Sequence, residues 1–200
     1  MSETDTRTQL LDVAHSLVEQ RGFNGFSFHD LSAAVGIRTP SVHYHFPSKA
    51  DLGDALISRY LDRLIEALDN IDRRHASARK RLEAFIQVYR VTQQRHALCL
   101  CGSLASDVGA IPEPLEAPVR RYMERSESWL RATIAAGRDA GEFTAGLDPA
   151  RLATLFLASL QGALVVAHAQ SEKAARGTMQ RVRTALLDTL SAEPGSTRPN

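Results

Sequence analysis

Cysteine is almost missing from this chain: Cys99 and Cys101 are its only two among 200 residues. Thiols this close cannot staple a fold, and on a helix residues two apart point to nearly opposite sides, so a disulfide framework is excluded. Net charge is missing as well. Lys and Arg number 24 against 23 Asp and Glu, which excludes a broadly basic surface and leaves any nucleic-acid site to be local. The N-terminus, MSETDTRTQLLD, lacks the basic start and apolar stretch of a signal peptide, so the chain is expected to be cytoplasmic. No segment alternates with the period of a strand, and no internal repeat or low-complexity block competes. Catalytic patterns are lacking too. CGSLASD is not a Gly-x-Ser-x-Gly elbow, no phosphate-binding Gly loop is present, and no acid pair or His-Asp set stands at telling spacing, so no enzyme is expected. His29, His43 and His45 have no Cys or carboxylate partner at helical ligand spacing, so neither a metal nor another cofactor is expected.

What is present is helix, with 44% hydrophobic residues to bury. From Asp5 to Arg21, the residues Leu10, Leu11, Ala14, Leu17 and Val18 repeat at helical spacing and Gly22 supplies a stop. Ser27 followed by Asp30 forms a capping-box pattern that opens a second helix through Leu31, Ala34 and Val35, ended by Gly36. Thr39 is expected to cap a third helix, with Pro40 in its first position and Pro47 limiting it to about Phe46. Ser48 and Asp51 repeat the capping pattern before a long fourth helix carrying Leu52, Leu56, Tyr60, Leu61, Leu64, Ile65 and Leu68 on one face. Further helices are expected around Leu82, Phe85, Ile86 and Tyr89, from Ser103 to Val108, and from Leu115 through Ile134 to a stop at Gly141. Gly109, Pro112 and Pro114 break the chain between the last two. Asp148 and Pro149 start an eighth helix, and Met179, Val182, Leu186 and Leu190 mark a ninth.

The expected fold is therefore all-α. Residues 1–50 form a helix-turn-helix domain, a helix at about 48–70 links it onward, residues 51–192 form a second helical domain, and 193–200 are a disordered tail. The eighth helix, LATLFLASLQGALVVAHA, is apolar nearly all round and long enough to raise the membrane question. Thr154, Ser159, Gln161, Gly162 and His168 interrupt it, so it is read as buried on both faces, with no membrane. One face packs on its own domain and the other on a second subunit, through Phe156, Gln161, Gly162 and Val165 with Val182 and Leu186 of the ninth helix.

GIRTPSVHYHFPSKADL, from Gly36 to Leu52, carries the chemistry. Two short helices joined by a tight turn, the second rich in rings, have the proportions of a helix-turn-helix whose second helix enters the major groove of double-stranded DNA. That helix stays short because a groove about 12 Å wide admits only a few turns of side chains to its floor. His43, Tyr44 and His45 cannot all face inward on one helix, whereas Val42 and Phe46 are read as core. Thr39 and Ser41 can donate or accept at base edges, and His43 and Tyr44 add flat faces suited to thymine methyls. Lys49, in the first turn of the next helix, is placed to meet a phosphate.

LLDVAHSLVEQRGFNGFSFHDLSAAVGI and PSVHYHFPSKADL resemble the DNA-binding domain of the TetR family of bacterial transcriptional regulators, over about residues 6–68. The resemblance implies a homodimer whose C-terminal helical domain binds a small effector. Position by position it places His29, Arg38, Thr39, Pro40, Ser41, His43 and Tyr44 at bases, and His45 and Lys49 at phosphates. Relatives usually carry Tyr where this chain has His43. The first fifty residues hold only Arg7, Arg21, Arg38 and Lys49 against Glu3, Asp5, Asp12, Glu19 and Asp30, so non-specific affinity is expected to be low. The family reading is a repressor released from its operator by an effector of unknown identity, with Phe85, Tyr89, Tyr122, Met123, Trp129 and Phe156 as candidate pocket residues. An activator needs the same grip on DNA. RHALCLCGSLASDV also resembles the ligand domain of electrophile-responsive relatives in which a Cys at the position of Cys99 is modified. A thiolate near Arg95 or His96 would gain nucleophilicity, so Cys99 and Cys101 are either sensors or buried packing.

Overall fold

A computed structural model describes residues 3–106, 111–146 and 148–191. Among them the chain forms α1 (Glu3–Arg21), α2 (Phe28–Val35), α3 (Thr39–His45), α4 (Lys49–Arg74), α5 (Ala78–Gln94), α6 (Leu100–Ser106), α7 (Glu116–Asp139), α8 (Pro149–His168) and α9 (Glu172–Thr189). No strand occurs among these residues, so the fold is all-α. The helix expected from Ser103 begins earlier, at Leu100; Val108, Gly109 and the tail 193–200 lie outside the described residues.

Two compact units emerge. One takes Met1–Leu64 with Leu98–Met123, the other Ile65–Ala97 with Glu124–Asn200. The first part of α4, α6 and the start of α7 group with the helix-turn-helix. α6 lies on α1. A Cβ at Gly53 would stand 2.5 Å from Leu115 Cδ1 and 3.0 Å from Phe23 Cζ, so α4, the start of α7 and the loop after α1 meet at a glycine. Leu10, Ala14, Val18, Leu31, Val42 and Leu52 are completely buried in this unit. Each such aliphatic side chain as large as Val or Leu contributes about 1.5–3 kcal/mol of burial.

The short helices are set by local caps. Ser27 N donates to Asp30 Oδ2 at 2.7 Å while Asp30 N donates back to Ser27 Oγ at 3.3 Å. The Ser27 hydroxyl, donating to Asp30 Oδ2 at 2.6 Å, and then the Ser27 N–H hold the Asp30 carboxyl below its usual range. Ser48 and Asp51 repeat the exchange at 2.9 and 3.2 Å. α2 ends at Gly36, whose φ of 76° is left-handed and open to glycine at little cost. Thr39 does not cap α3. Arg38 holds the cap position without a side-chain bond, Thr39 is the first helical residue, and its hydroxyl is engaged with Ser32 instead.

In the second unit α8 packs on α5 and α9. Ala153, Phe156, Leu157, Leu160, Ala163, Leu164 and Ala167 form its buried side. Leu155, Val165 and Val166 remain exposed on it. α8 has the length and apolarity of a membrane span, and packing against two helices accounts for one side of it. The start of α5 is capped from far along the chain. Glu142 accepts from Ser77 Oγ at 2.6 Å, Ala78 N at 3.0 Å and Arg79 N at 3.2 Å, and these bonds lower its carboxyl pKa.

Candidate nucleic-acid interface

α2 and α3 are tied at their junction by side chains as well as by the turn. Ser32, buried, donates its hydroxyl to His29 O at 2.8 Å. Its single proton is then spent, so the Thr39 hydroxyl is the donor in the 3.0 Å bond between Thr39 Oγ1 and Ser32 Oγ. Gly36 N and Ile37 N both donate to Ser32 O, at 2.9 and 3.0 Å. The angle of α3 to α2 therefore rests on one serine and one left-handed glycine.

α3 separates its side chains by function. Val42 and Phe46 are buried, as expected of them, and anchor the helix. Pro40, Ser41, His43 and Tyr44 are exposed, Tyr44 by 71%. A tyrosine that open contributes little burial to folding. His43 Nδ1 lies 3.4 Å from Pro47 O, and its ring meets the Phe28 ring edge-on at 4.8 Å. The Tyr44 and His45 rings meet at 5.3 Å, with His45 half-buried. His29 on α2 and Arg38 at the cap are exposed, and Thr39 is half-buried.

Lys49 departs from its expected place. Its ammonium donates to Phe26 O and stands 4.5 Å and 5.1 Å from the Phe26 and Phe23 ring centroids. Desolvation lowers its pKa, against the pull of Asp30. A half-buried cation held by a carbonyl and two ring faces braces the loop before α2 rather than reaching outward. Arg7, not singled out from the sequence, lies over the Phe46 ring at 5.1 Å. Arg7, His45 and Arg59 share a groove of about 500 Å³ with Asp51, Asp54 and Asp62, a mixed lining with no excess of positive charge for a phosphate.

The candidate effector residues fall in both units. Phe85, Tyr89, Trp129 and Phe156 are buried in the second unit. Phe85 stacks on Trp129 at 5.4 Å, Trp129 Nε1 donates to Asp72 Oδ2 at 3.0 Å, and Gln161 Nε2 donates to Tyr89 Oη at 3.2 Å. Tyr122 and Met123 belong to the first unit. Tyr122 stacks on Tyr60 at 5.1 Å; Cys99 Sγ accepts from Tyr60 Oη at 3.7 Å and lies 3.9 Å from Tyr122 Oη. His15 meets the Tyr60 ring edge-on at 5.5 Å and lies 3.2 Å from Glu19 Oε1 through its Nε2. The two cysteines differ. Cys101 is fully buried, and desolvation, with Cys99 adding, pushes its thiol far above the ordinary range, which makes it unreactive. Both are free thiols. A groove of about 530 Å³ in the second unit is lined by Glu124, Glu127, Arg131 and Arg151 among others, and none of the ring residues borders it.

Of the expected subunit interface, Gly162 and Val165 are exposed and Gln161 and Val182 half-buried. Phe156 and Leu186 are buried inside their own protomer and have no surface to offer a partner, because each faces the packing of α8, α5 and α9. Leu155 and Val166 extend the exposed side of α8 in their place. Phe28, Ser32 and Tyr60 were not distinguished by spacing. Tyr60 was legible as part of an apolar face, while its hydroxyl matters only through what it meets.

The family described as "Bacterial regulatory proteins, tetR family" matches residues 10–56, and that described as "Tetracyclin repressor-like, C-terminal domain" matches residues 78–186. Transcriptional regulator AcuR of Cereibacter sphaeroides is 30% identical over 154 residues, covering 73% of this chain and 68% of that protein. The HTH-type transcriptional repressor DhaR of a Mycobacterium species is 22% identical over 166 residues, 82% of this chain and 83% of its own length. The crystal structure of a TetR-family regulator from Agrobacterium tumefaciens superposes with a TM-score of 0.89 at 28% identity, covering 96% of this chain and all of that one. With its N-terminal helix-turn-helix, its C-terminal helices and a relative matched over most of both lengths, the chain belongs to the TetR family of bacterial transcriptional regulators, and it is a DNA-binding regulator rather than an enzyme.

Proposed function

We propose that this regulator is a cytoplasmic repressor, gripping its operator as a dimer through α3 and releasing it when a small molecule occupies the C-terminal helices. Regulators of this family bind operator DNA, dimerise and take effectors in that domain. The observation that carries the DNA contacts is the exposed face of α3, where Pro40, Ser41, His43 and Tyr44 stand clear of a core anchored by Val42 and Phe46. His29 and Arg38 add to it from α2 and the turn. Lys49 is turned to the Phe26 carbonyl, and Arg38 is the exposed cation nearest to this face in the chain. The name of the relative DhaR favours repression over activation.

For the effector, two places support the reading: the rings of Phe85, Tyr89 and Trp129 in one unit, and Tyr122 beside Cys99 in the other. Cys99 rather than Cys101 is the thiol for a sensing variant of this reading, because only Cys99 sits against two phenol hydroxyls. Footprinting on the DNA beside the chain's own gene should show a short protected site that Tyr44→Ala loses. A reporter behind that site should rise when the gene is deleted. A fall would make the protein an activator, and no protected site would remove the assignment of α3.

A further inference from the structure

We propose that His43 reads a base bearing an amino group, adenine or cytosine, through a lone pair on Nε2. The inference rests on α3 being the helix that enters the groove. Pro47 O can only accept, so the 3.4 Å approach of His43 Nδ1 is a hydrogen bond only with the ring proton on Nδ1, and that contact favours this tautomer. A neutral imidazole has only one such proton, which leaves Nε2 as an acceptor. The ring is not free to exchange its ends. Turning it over would take Nδ1 off the carbonyl, and Phe28, edge-on at 4.8 Å and 69°, packs against the ring.

Nε2 lies across the ring from the tethered nitrogen, on a residue that is exposed. His43 comes three residues after Pro40 and one before Tyr44, and it is exposed at the flank of their open face, between that face and the buried side of Val42 and Phe46. In the major groove the hydrogen-bond donors are cytosine N4 and adenine N6, whereas guanine O6 and N7 and thymine O4 accept. An acceptor held in place therefore pairs with the first group and meets repulsion from the second, and a mismatched base leaves both lone pairs without a proton. The Pro47 carbonyl thus acts at a distance of one ring. By fixing the tautomer it selects the base class, and His43 is a specificity-determining residue rather than a general phosphate ligand.

The test is selection from a random duplex pool with the full chain at pH 8. Wild type should enrich A or C about tenfold at one position in each half-site. That position should become indifferent in His43→Phe, which keeps a ring, and should move toward G or T in His43→Lys, which can only donate. Preferences retained elsewhere in the site report that the variants are folded. Should both variants lose all binding, the wild-type protein still decides. Replacing the selected adenine by unsubstituted purine, or cytosine by 2-pyrimidinone, removes only the amino group and should weaken binding about tenfold. No weakening, a wild-type preference for G or T, or a site in which no position responds to His43 overturns the inference. A wild-type pool with no enriched sequence overturns the operator reading beneath it.

Discussion

α3 and α8 both hold apolar or aromatic side chains in solvent, and they do so with opposite chemistry. On α3 the exposed rings carry polar tips: the Tyr44 hydroxyl and the His43 nitrogens. On α8 the exposed residues Leu155, Val165 and Val166 carry none, with Val165 at 60% exposure. A face with donors and acceptors can recognise the patterned edges of bases, whereas a face without them gains only by excluding water. The proposed partners follow that difference: DNA for the first face, a second subunit for the other. Behind the faces the helices differ too. α3 is anchored by Val42 and Phe46, while α8 has a full buried side.

The sharpest way to test that contrast is to cut behind one face and on the other. Phe156→Ala, removing a completely buried ring under α8, should cost about 3–5 kcal/mol in a denaturant melt, whereas Tyr44→Ala should leave the melt unchanged and abolish specific DNA binding. If Tyr44→Ala destabilises as Phe156→Ala does, α3's face is structural and the comparison fails.

Charge on the other face comes next. Val165→Glu should convert the dimer to folded monomers in sedimentation, because an unpaired carboxylate buried between subunits costs about 3 kcal/mol. Persistence of the dimer would move the interface off α8.

A smaller effect is expected from the frame beneath α8. Glu142→Gln removes a carboxylate that caps α5, which should cost about 1 kcal/mol at pH 7. The sign with pH follows from its lowered native pKa. The wild-type advantage is present above the unfolded carboxyl value of about 4.5 and fades as acid protonates Glu142 through its lower folded value. Chemical melts at pH 7 and pH 3 should show the gap open and then narrowed.

Least of all, Lys49→Met should cost under about 1 kcal/mol and leave the salt dependence of DNA binding unchanged, since the ammonium is held by Phe26 O and two rings. A salt slope shallower by about one ion would return Lys49 to the phosphate backbone.

Much of the head was legible because its determinants act over three or four residues. The pairs Ser27 with Asp30 and Ser48 with Asp51 cap as their spacing says, Gly36 ends α2, and Val42 and Phe46 turn inward where helical geometry puts them. Thr39 was misplaced by one position because its hydroxyl finds Ser32, a competitor seven residues back that no capping rule weighs. In the second unit the apolar pattern of α8 was plain, yet the pattern did not say which side would be covered by α5 and α9. Phe156 and Val165 therefore looked equivalent until the packing buried one and left the other at 60% exposure.

By itself, then, the amino-acid order determined the helices, their stops, the helix-turn-helix and the ring-rich face of α3, since propensity, capping and proline geometry are properties of near neighbours. Tertiary structure alone decided the partners of groups with several suitable choices. Lys49 found the Phe26 carbonyl 23 residues away, Cys99 came to rest against the hydroxyls of Tyr60 and Tyr122, and Glu142 reached the start of α5 across a separation of 65 residues to Ser77. An ammonium, a thiol or a carboxylate carries no record of its partner in its own sequence, because the choice is made by packing that brings distant segments together and excludes water from the ones that meet.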